Sequence, residues 1–397
     1  MSPSDDRTLV SVFMESVVIV SAVRTPIGKA GKGALRETRP DDLAAIVLEA
    51  ALRRADIDPY TVDDVILGCA SPEAEQGLNV ARIAALRAGL PEQIPGLTIN
   101  RFCASGLEAI ALAAAKIATG QAETVIAGGT ESMSLVPFMG PSLRPNPVLA
   151  QKRPDIYLGM GPSVEQLAKE FAITREESDR FALSSHQKAI AAQDKGLFDA
   201  EIEPVPITNQ AGETLLFIRD EGPRRDTSLE ALAALKPAFT PDGILTAGNS
   251  SQRSDGAAAL VLTSEAHANK LHLKPLGRFV GYTTVAVSPV QFGIAPAYAI
   301  PKLLQRHGIT LEQIDLIEFN EAFAAQVLAA NKLYPLPMER VNVNGGAVAL
   351  GHPLGATGAR QTVTLLYEGA RRKARYGLVT MCAALGMGAA GLFEVYA

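Results

Sequence analysis

Two of the chain's three cysteines and one of its five histidines sit in unusual company. Cys103 lies in "NRFCASG", among small residues. His352 lies in "GHPLGATG", braced by Pro353 with glycines on both sides. Cys382 opens "CAALGMG". A cysteine with a histidine base is an activated nucleophile. A second thiol without metal-type spacing is a candidate acid or base. The ordinary alternative for each cysteine, Cys69 in "GCAS" included, is a small core thiol, and for His352 a structural role. Gly106 and Ala104 beside Cys103, and the glycines around His352, point to close approach by backbone or substrate.

The elements that must position these residues follow from local pattern. "GLTIN" (Gly96 to Asn100) is short, β-branched and apolar, which suits a buried strand. Ser105 precedes Glu108 by three residues, the spacing of a capping box. "LEAIALAAAKIA" is rich in strong helix formers and ends at Gly120. Cys103 is therefore expected at a helix N-terminus. Backbone N–H groups and the helix dipole favour a thiolate there. Such settings lower a cysteine pKa from ~8.5 to ~3.5–7.5. "VNVNGGAVALGHPLGATGAR" reads as strand, Gly-rich turn and helix, and "YGLVTMCAALGMGAAGLFEVY" as two strands around a tight turn. Each of Cys103, His352 and Cys382 is thus expected just past a strand's C-terminal end, where open α/β sheets place ligands.

Across the chain, strand-like runs such as "SVVIVSAV" and "VDDVILGCA" alternate with helical runs such as "DDLAAIVLEAALRRA" and "NVARIAALRAGL". That alternation predicts α/β layers. The strand-turn-helix units at Cys103 and at His352 occupy matching places in two halves, the mark of an internal duplication. The expected boundaries are a flexible extension over 1–13, an N-terminal core half over 14–132 completed by 254–277, an insertion over 133–253, and a C-terminal core half over 278–397. The insertion holds irregular stretches such as "VPFMGPSLRPNPVLAQKRPD", as a functional loop or lid would.

At 397 residues, the chain is long enough for two or three domains or a duplicated unit. A net charge of −5 argues against general nucleic-acid binding. No apolar run reaches the ~18 residues that span a bilayer. Three cysteines without a disulfide framework suit a reducing compartment. The polar, acidic start lacks signal- or transit-peptide character, and "FEVYA" carries no peroxisomal or retention signal. A cytoplasmic location is the expectation. "RRKAR" (Arg371 to Arg375) reads as a helix end whose cations complement the dipole. The glycine runs match no dinucleotide fingerprint.

Over residues 14 to 397 the sequence resembles the thiolase family. The resemblance rests on "NRFCASGLEA", "GGTESMS", "TAGNSSQRSDGAAA", "NEAF", "GGAVALGHPLGATGAR" and "CAALGMGAA", in the family's order. It implies an α/β fold of two duplicated βαβαβαββ halves, layered α-β-α-β-α, with an inserted loop domain that covers CoA. It implies thiolytic cleavage of 3-oxoacyl-CoA through an acyl-cysteine, with CoA as substrate and no covalently bound cofactor or metal. Cys103 would be the nucleophile, His352 its base and Cys382 the acid/base for the enolate and for CoA. Asn320 would hold a water that forms one oxyanion hole with His352. The backbone N–H groups of Cys103 and Ala384 would form the other. Arg224, Ser251, Ala322, Phe323 and Met160 fall where the family contacts CoA. The resemblance also implies a homodimer, often doubled to a tetramer, and leaves open a β-oxidation partner protein.

Two positions depart from the commonest family pattern. Residue 384 is alanine where C-x-G is usual, although some fatty-acid-oxidation branches read C-A-A. Gly159 stands where short-chain members often carry histidine, and with "GCASPEAEQGLN" this leans toward 3-ketoacyl-CoA thiolase over an acetoacetyl-CoA specialist. A decarboxylating ketoacyl synthase is a second enzyme reading, but that class pairs its cysteine with two histidines. A non-catalytic CoA- or lipid-binding protein is the reading from another class.

Overall fold

The computed structural model describes residues 15–209 and 211–397, so the expected extension over 1–13 lies outside it. The first half contributes β1 (Val17–Arg24), the two-residue β2 (Gly28–Lys29), β3 (Asp64–Gly68), β4 (Gly96–Ile99) and β5 (Thr124–Ser132). A hairpin of β6 (Val205–Thr208) and β7 (Thr214–Phe217) stands apart. Then come β8 (Ser254–Ser264), β9 (Gly277–Ala286), β10 (Leu316–Phe319), β11 (Tyr376–Ala383) and β12 (Met387–Val395). Among the described residues all strands except the hairpin form one ten-stranded sheet, ordered β10-β11-β12-β9-β1-β8-β5-β3-β4, with β2 on β8. β1 and β9 meet at Val18–Arg278 and Ile19–Gly277 alone. The sheet is therefore two half-sheets joined along a narrow seam.

Three helical layers cover the half-sheets. The Pro40–Ala55 and Val80–Arg87 helices pack on the outer face of the first. The Pro296–His307 and Ala324–Leu333 helices pack on the outer face of the second. Between them lie the Ser105–Ala118 and Thr357–Arg372 helices, in a core fed by strands of both halves. With helices on both faces, strands read as continuous apolar runs and not as alternations. Thus Val125 and Ala127 of β5 face the middle layer while Ile126 faces the outer one. This is the expected α-β-α-β-α order. No helix among the described residues is long and apolar enough to cross a membrane.

The two middle helices start almost in backbone contact. A Cβ built on Gly106 would lie 2.8 Å from Ala359 N and from Gly355 O, and one on Gly358 would lie 2.5 Å from Leu107 N. On β5, a Cβ at Gly129 would lie 2.1 Å from Gly355 O. Gly106 was expected to make room for backbone or substrate, and backbone of the other half is what fills it.

Two local expectations are corrected. The capping box at Ser105 does not form. Its Oγ accepts from Arg101 N at 2.8 Å and donates to Phe102 O at 2.6 Å, closing the turn that carries Cys103. Glu108 turns instead to the Arg101 guanidinium and to Tyr282 Oη. Nor does a strand lead into the His352 loop. Asn342 carries a positive φ of 45° and turns the chain away. Its side chain substitutes for a neighbouring strand: Phe319 N donates to Oδ1 and Nδ2 donates to Phe319 O, both at 2.8 Å.

The segment between the halves is pinned by charge. Arg24, fully buried, donates to both oxygens of Asp220 at 2.8 and 2.9 Å and to Glu201 at 2.6 Å. Gly129→Ala should destabilise the fold by about 1–3 kcal/mol, the usual cost of overpacking. Thermal denaturation checks this, and an unchanged midpoint would mean β5 and the Gly355 loop are not in contact.

Candidate active site

Cys103 sits in a single 3₁₀ turn, Phe102–Ala104, directly before the Ser105–Ala118 helix. The turn is entered through Phe102 at φ 48°. Asn100 holds that bend by accepting Phe102 N at 2.8 Å and donating to Ala70 O at 3.1 Å. Cys103 packs among Ala70, Met133 and Leu354 and is almost fully buried. Burial pushes its thiol up to about 12. Its own backbone N–H favours the thiolate, and the Glu131 carboxylate opposes it. The thiolate expected from the helix terminus is therefore not the resting form, because loss of hydration outweighs the helix end.

His352 lies across from it in the loop before the Thr357–Arg372 helix. Its backbone N bonds to Gln252 O at 3.3 Å and to Ser254 Oγ at 3.1 Å. Its tautomer follows from the hydrogen bonds. Thr357 Oγ1 donates to Pro353 O at 3.0 Å, so it can only accept at Nδ1, 2.6 Å away. Nδ1 therefore carries the proton. Nε2 is left as the acceptor, facing Asn320 Nδ2 at 3.2 Å. Burial, and then the Arg360 guanidinium, lowers this imidazole to about 3. At neutral pH the site holds a neutral thiol and a neutral base.

Cys382 is the penultimate residue of β11 and packs with Ala322, Phe323 and Phe292. Burial, and then the nearby Cys103, pushes its thiol well above the ordinary range. The turn after it uses Leu385 at φ 62° and Gly386 at φ 83° to return into β12. Asn320 is fully buried, and its Oδ1 has no protein partner among the described residues.

Cys103 and His352 open onto a cavity of about 300 Å³, walled by Met160, Ser251, Ala322 and Phe323, with Phe138 and Phe239 opposite. Asn320 and Cys382 stand behind this wall. A side cavity of about 50 Å³ shares Phe138, Gly159 and Met160 with it and is closed by Ile156, Leu158, Ala384 and Leu385. Arg224 is exposed and stands outside the cavity. Its N–H donates to His186 Nδ1 at 3.1 Å, and nearby Gly222 abuts the Gln252 side chain of the cavity wall.

The sequence reading missed three residues here. Thr357 sets the histidine tautomer, and Arg360 lies fully buried with no hydrogen-bond partner for its guanidinium among the described residues. Glu131 is a buried carboxylate inside a glycine-rich strand. Only Glu131 left a signal: a charge in such a run must find donors.

Residues 17–266 match the thiolase N-terminal domain family, and residues 273–395 match the thiolase C-terminal domain family. The chain is a member of the thiolase family. The 3-ketoacyl-CoA thiolase of Bacillus subtilis (strain 168) is 50% identical over 390 residues, covering 96% of this chain and 100% of that protein. The crystal structure of the Bacillus anthracis acetyl-CoA acetyltransferase superposes with a TM-score of 0.90 at 44% identity, covering 97% of this chain and 100% of that one. The human mitochondrial 3-ketoacyl-CoA thiolase structure gives 0.90 at 38% identity, with the same coverage.

In this thiolase the Thr357 hydroxyl is what leaves Nε2 unprotonated. Thr357→Val should lower kcat by about 10²-fold, the usual cost of a misplaced catalytic group. KM for CoA should stay within about threefold, and Thr357→Ser should restore most of the rate. Steady-state kinetics check this, and near-normal turnover in the valine variant would contradict the tautomer assignment.

Proposed function

We propose that this thiolase cleaves 3-oxoacyl-CoA with CoA, giving acetyl-CoA and an acyl-CoA two carbons shorter, and runs the reverse condensation. The observation that carries the reading is that Cys103 and His352 line one apolar cavity, with Asn320 against His352 Nε2 and Cys382 packed behind the cavity residues Ala322 and Phe323. Its walls suit a narrow pantetheine arm, and the exposed Arg224, outside the cavity, is available to the nucleotide.

Cys103 gives its proton to His352 Nε2 as sulfur attacks the 3-keto carbon. The resulting oxyanion is held by the N–H groups of Cys103 and Ala384. The C2–C3 bond then breaks, leaving the acyl group on Cys103. The departing acetyl-CoA enolate has its oxygen facing protonated His352 and a water held by Asn320. Its carbon takes the proton of Cys382. CoA enters, gives its thiol proton to the Cys382 thiolate and attacks the acyl group. Cys103 leaves as thiolate and recovers its proton from His352, so every proton is returned. Donors of the oxyanion kind are worth ~2.7–4 kcal/mol each.

A narrower reading, acetoacetyl-CoA formation and cleavage, draws on the small side cavity of about 50 Å³. A series of 3-oxoacyl-CoA chain lengths separates the two: activity confined to the four-carbon substrate favours the narrower one.

We also propose a homodimer through the edge strand β4, beside which Leu78, Ile83, Leu86 and Leu97 are exposed. The exposed Leu143, Val148 and Leu149 suit a second contact that doubles it to a tetramer. Light scattering tests both, and a stable monomer at dilute concentration would contradict the dimer.

Loss of 3-oxoacyl-CoA absorbance should require CoA. Cys103→Ala should abolish it and leave the protein folded. Cys382→Ala should still accept an acyl group at Cys103 from a simple acyl-CoA by thioester exchange, yet fail to cleave the carbon–carbon bond of 3-oxoacyl-CoA. Mass spectrometry of the acylated peptide reads both outcomes, and near-normal thiolysis by Cys382→Ala would overturn the two-thiol scheme.

A further inference from the structure

Glu131, near the C-terminal end of β5, is almost fully buried and has no cation paired with it among the described residues. Its carboxylate is instead surrounded by N–H donors from two distant parts of the chain. Oε2 accepts from Ala70 N at 2.7 Å and from Gly355 N at 2.8 Å. Oε1 accepts from Ser71 N at 3.2 Å and from Gln76 Nε2 at 2.8 Å. Gln76 is itself locked, donating to Ser71 O at 2.7 Å and accepting from Ser132 N at 2.6 Å. Ala70 and Ser71 belong to the loop after β3, in the first half. Gly355 belongs to the His352 loop, in the second. One oxygen atom thus bridges the halves.

The bridge ends beside the reacting thiol. Ala70 and Leu354, each at or next to a bonded residue, are two of the side chains packed around Cys103. Gly355 has no room to shift toward them, since a Cβ there would lie 2.6 Å from Cys69 Cα and 2.8 Å from Glu131 Oε2. We propose that Glu131 is a positioning residue that sets the separation of the Cys103 turn and the His352 loop through this shared carboxylate. A buried carboxylate that served folding alone would need donors, but it would not need them from both loops flanking the nucleophile.

The charge has a second consequence. The one side-chain charge acting on Cys103 is Glu131; Cys103 in turn raises the thiol of Cys382, and His352, which shares the cavity, is lowered by burial and by Arg360. Burial raises the Glu131 carboxyl, while the N–H donors of Ala70, Gln76, Gly355 and Ser71 favour its charged form. Ionised Glu131 opposes the Cys103 thiolate. It holds the nucleophile as a thiol until His352 takes the proton within the reaction. Removing the charge while the site stays assembled should therefore make Cys103 easier to ionise and worse at turnover.

The inference rests on the thiolysis reading for its kinetic arm and not for its chemical arm. Two variants separate position from charge. Glu131→Gln removes the charge and forces an amide NH₂ against N–H donors. Gly355→Ala keeps the charge and pushes the His352 loop away. Both should lower kcat about 10²-fold, as a displacement of about 1 Å does, with KM for CoA within about threefold. At pH 8, iodoacetamide should alkylate Cys103 at least about threefold faster in Glu131→Gln than in Gly355→Ala, a shift set by the charge. Turnover within twofold of wild type in a folded variant, or equal alkylation of the two, would overturn the proposal. If Glu131→Gln does not fold, Gly355→Ala decides the positioning role by its kcat. If wild type itself shows no thiolysis, the functional reading fails while the alkylation comparison still tests the charge.

Discussion

The structure depends on one contact: the docking, backbone to backbone, of the loop that carries His352 against β5 and the start of the helix that follows Cys103. It is possible because Gly106, Gly129, Gly355 and Gly358 carry no Cβ where the other half's main chain passes. The contact forms the centre of the middle helical layer, so the packing that joins the halves also builds the site. A duplicated fold with larger residues there would still have two cores. It would not bring a cysteine of one half and a histidine of the other to the same cavity.

That docking also keeps the site dry, which decides its charge state. An ordinary thiol and one at about 12 differ by about 4 kcal/mol in the cost of ionising. Burial is the largest influence on this thiol and exceeds that of its own backbone N–H. Desolvation wins, so Cys103 rests as a thiol. His352, buried beside Arg360, rests as an imidazole whose proton is fixed on Nδ1 by Thr357. Charge is created only when substrate supplies an electrophile and the oxyanion donors receive it. A resting ion pair would spend that stabilisation before the reaction begins.

Much of this was legible in the sequence. Continuous apolar runs marked strands with both faces covered, and the Ala-rich runs marked their helices. The Cys103 and His352 motifs stood just before helix starts and the Cys382 motif at the end of a strand, which is where the structure brings them together. What was not legible depended on which hydrogen-bond partners won in three dimensions, some near in the chain and some distant. Ser105 and Glu108 had capping spacing, but Phe102 O and Arg101 competed for them. Residues Arg340 to Asn344 had strand composition, yet the Asn342 side chain satisfied β10 in a strand's place. Thr357 acts through short-range bonds to His352 and Pro353 that only the folded loop reveals, and Glu131 through donors 55 or more residues away. The sign of the Cys103 shift needed burial, which a motif does not report.

The central claim is that the resting nucleophile and base are both neutral. The most direct test is the pH dependence of Cys103 alkylation by iodoacetamide in the wild-type enzyme without substrate, followed by mass on the Cys103 peptide. With the thiol near 12, the thiolate fraction should rise about tenfold per pH unit from pH 6 to 9, and the rate with it. A rate already flat through neutral pH, falling only in acid, would reveal a resting thiolate–imidazolium pair and contradict the account.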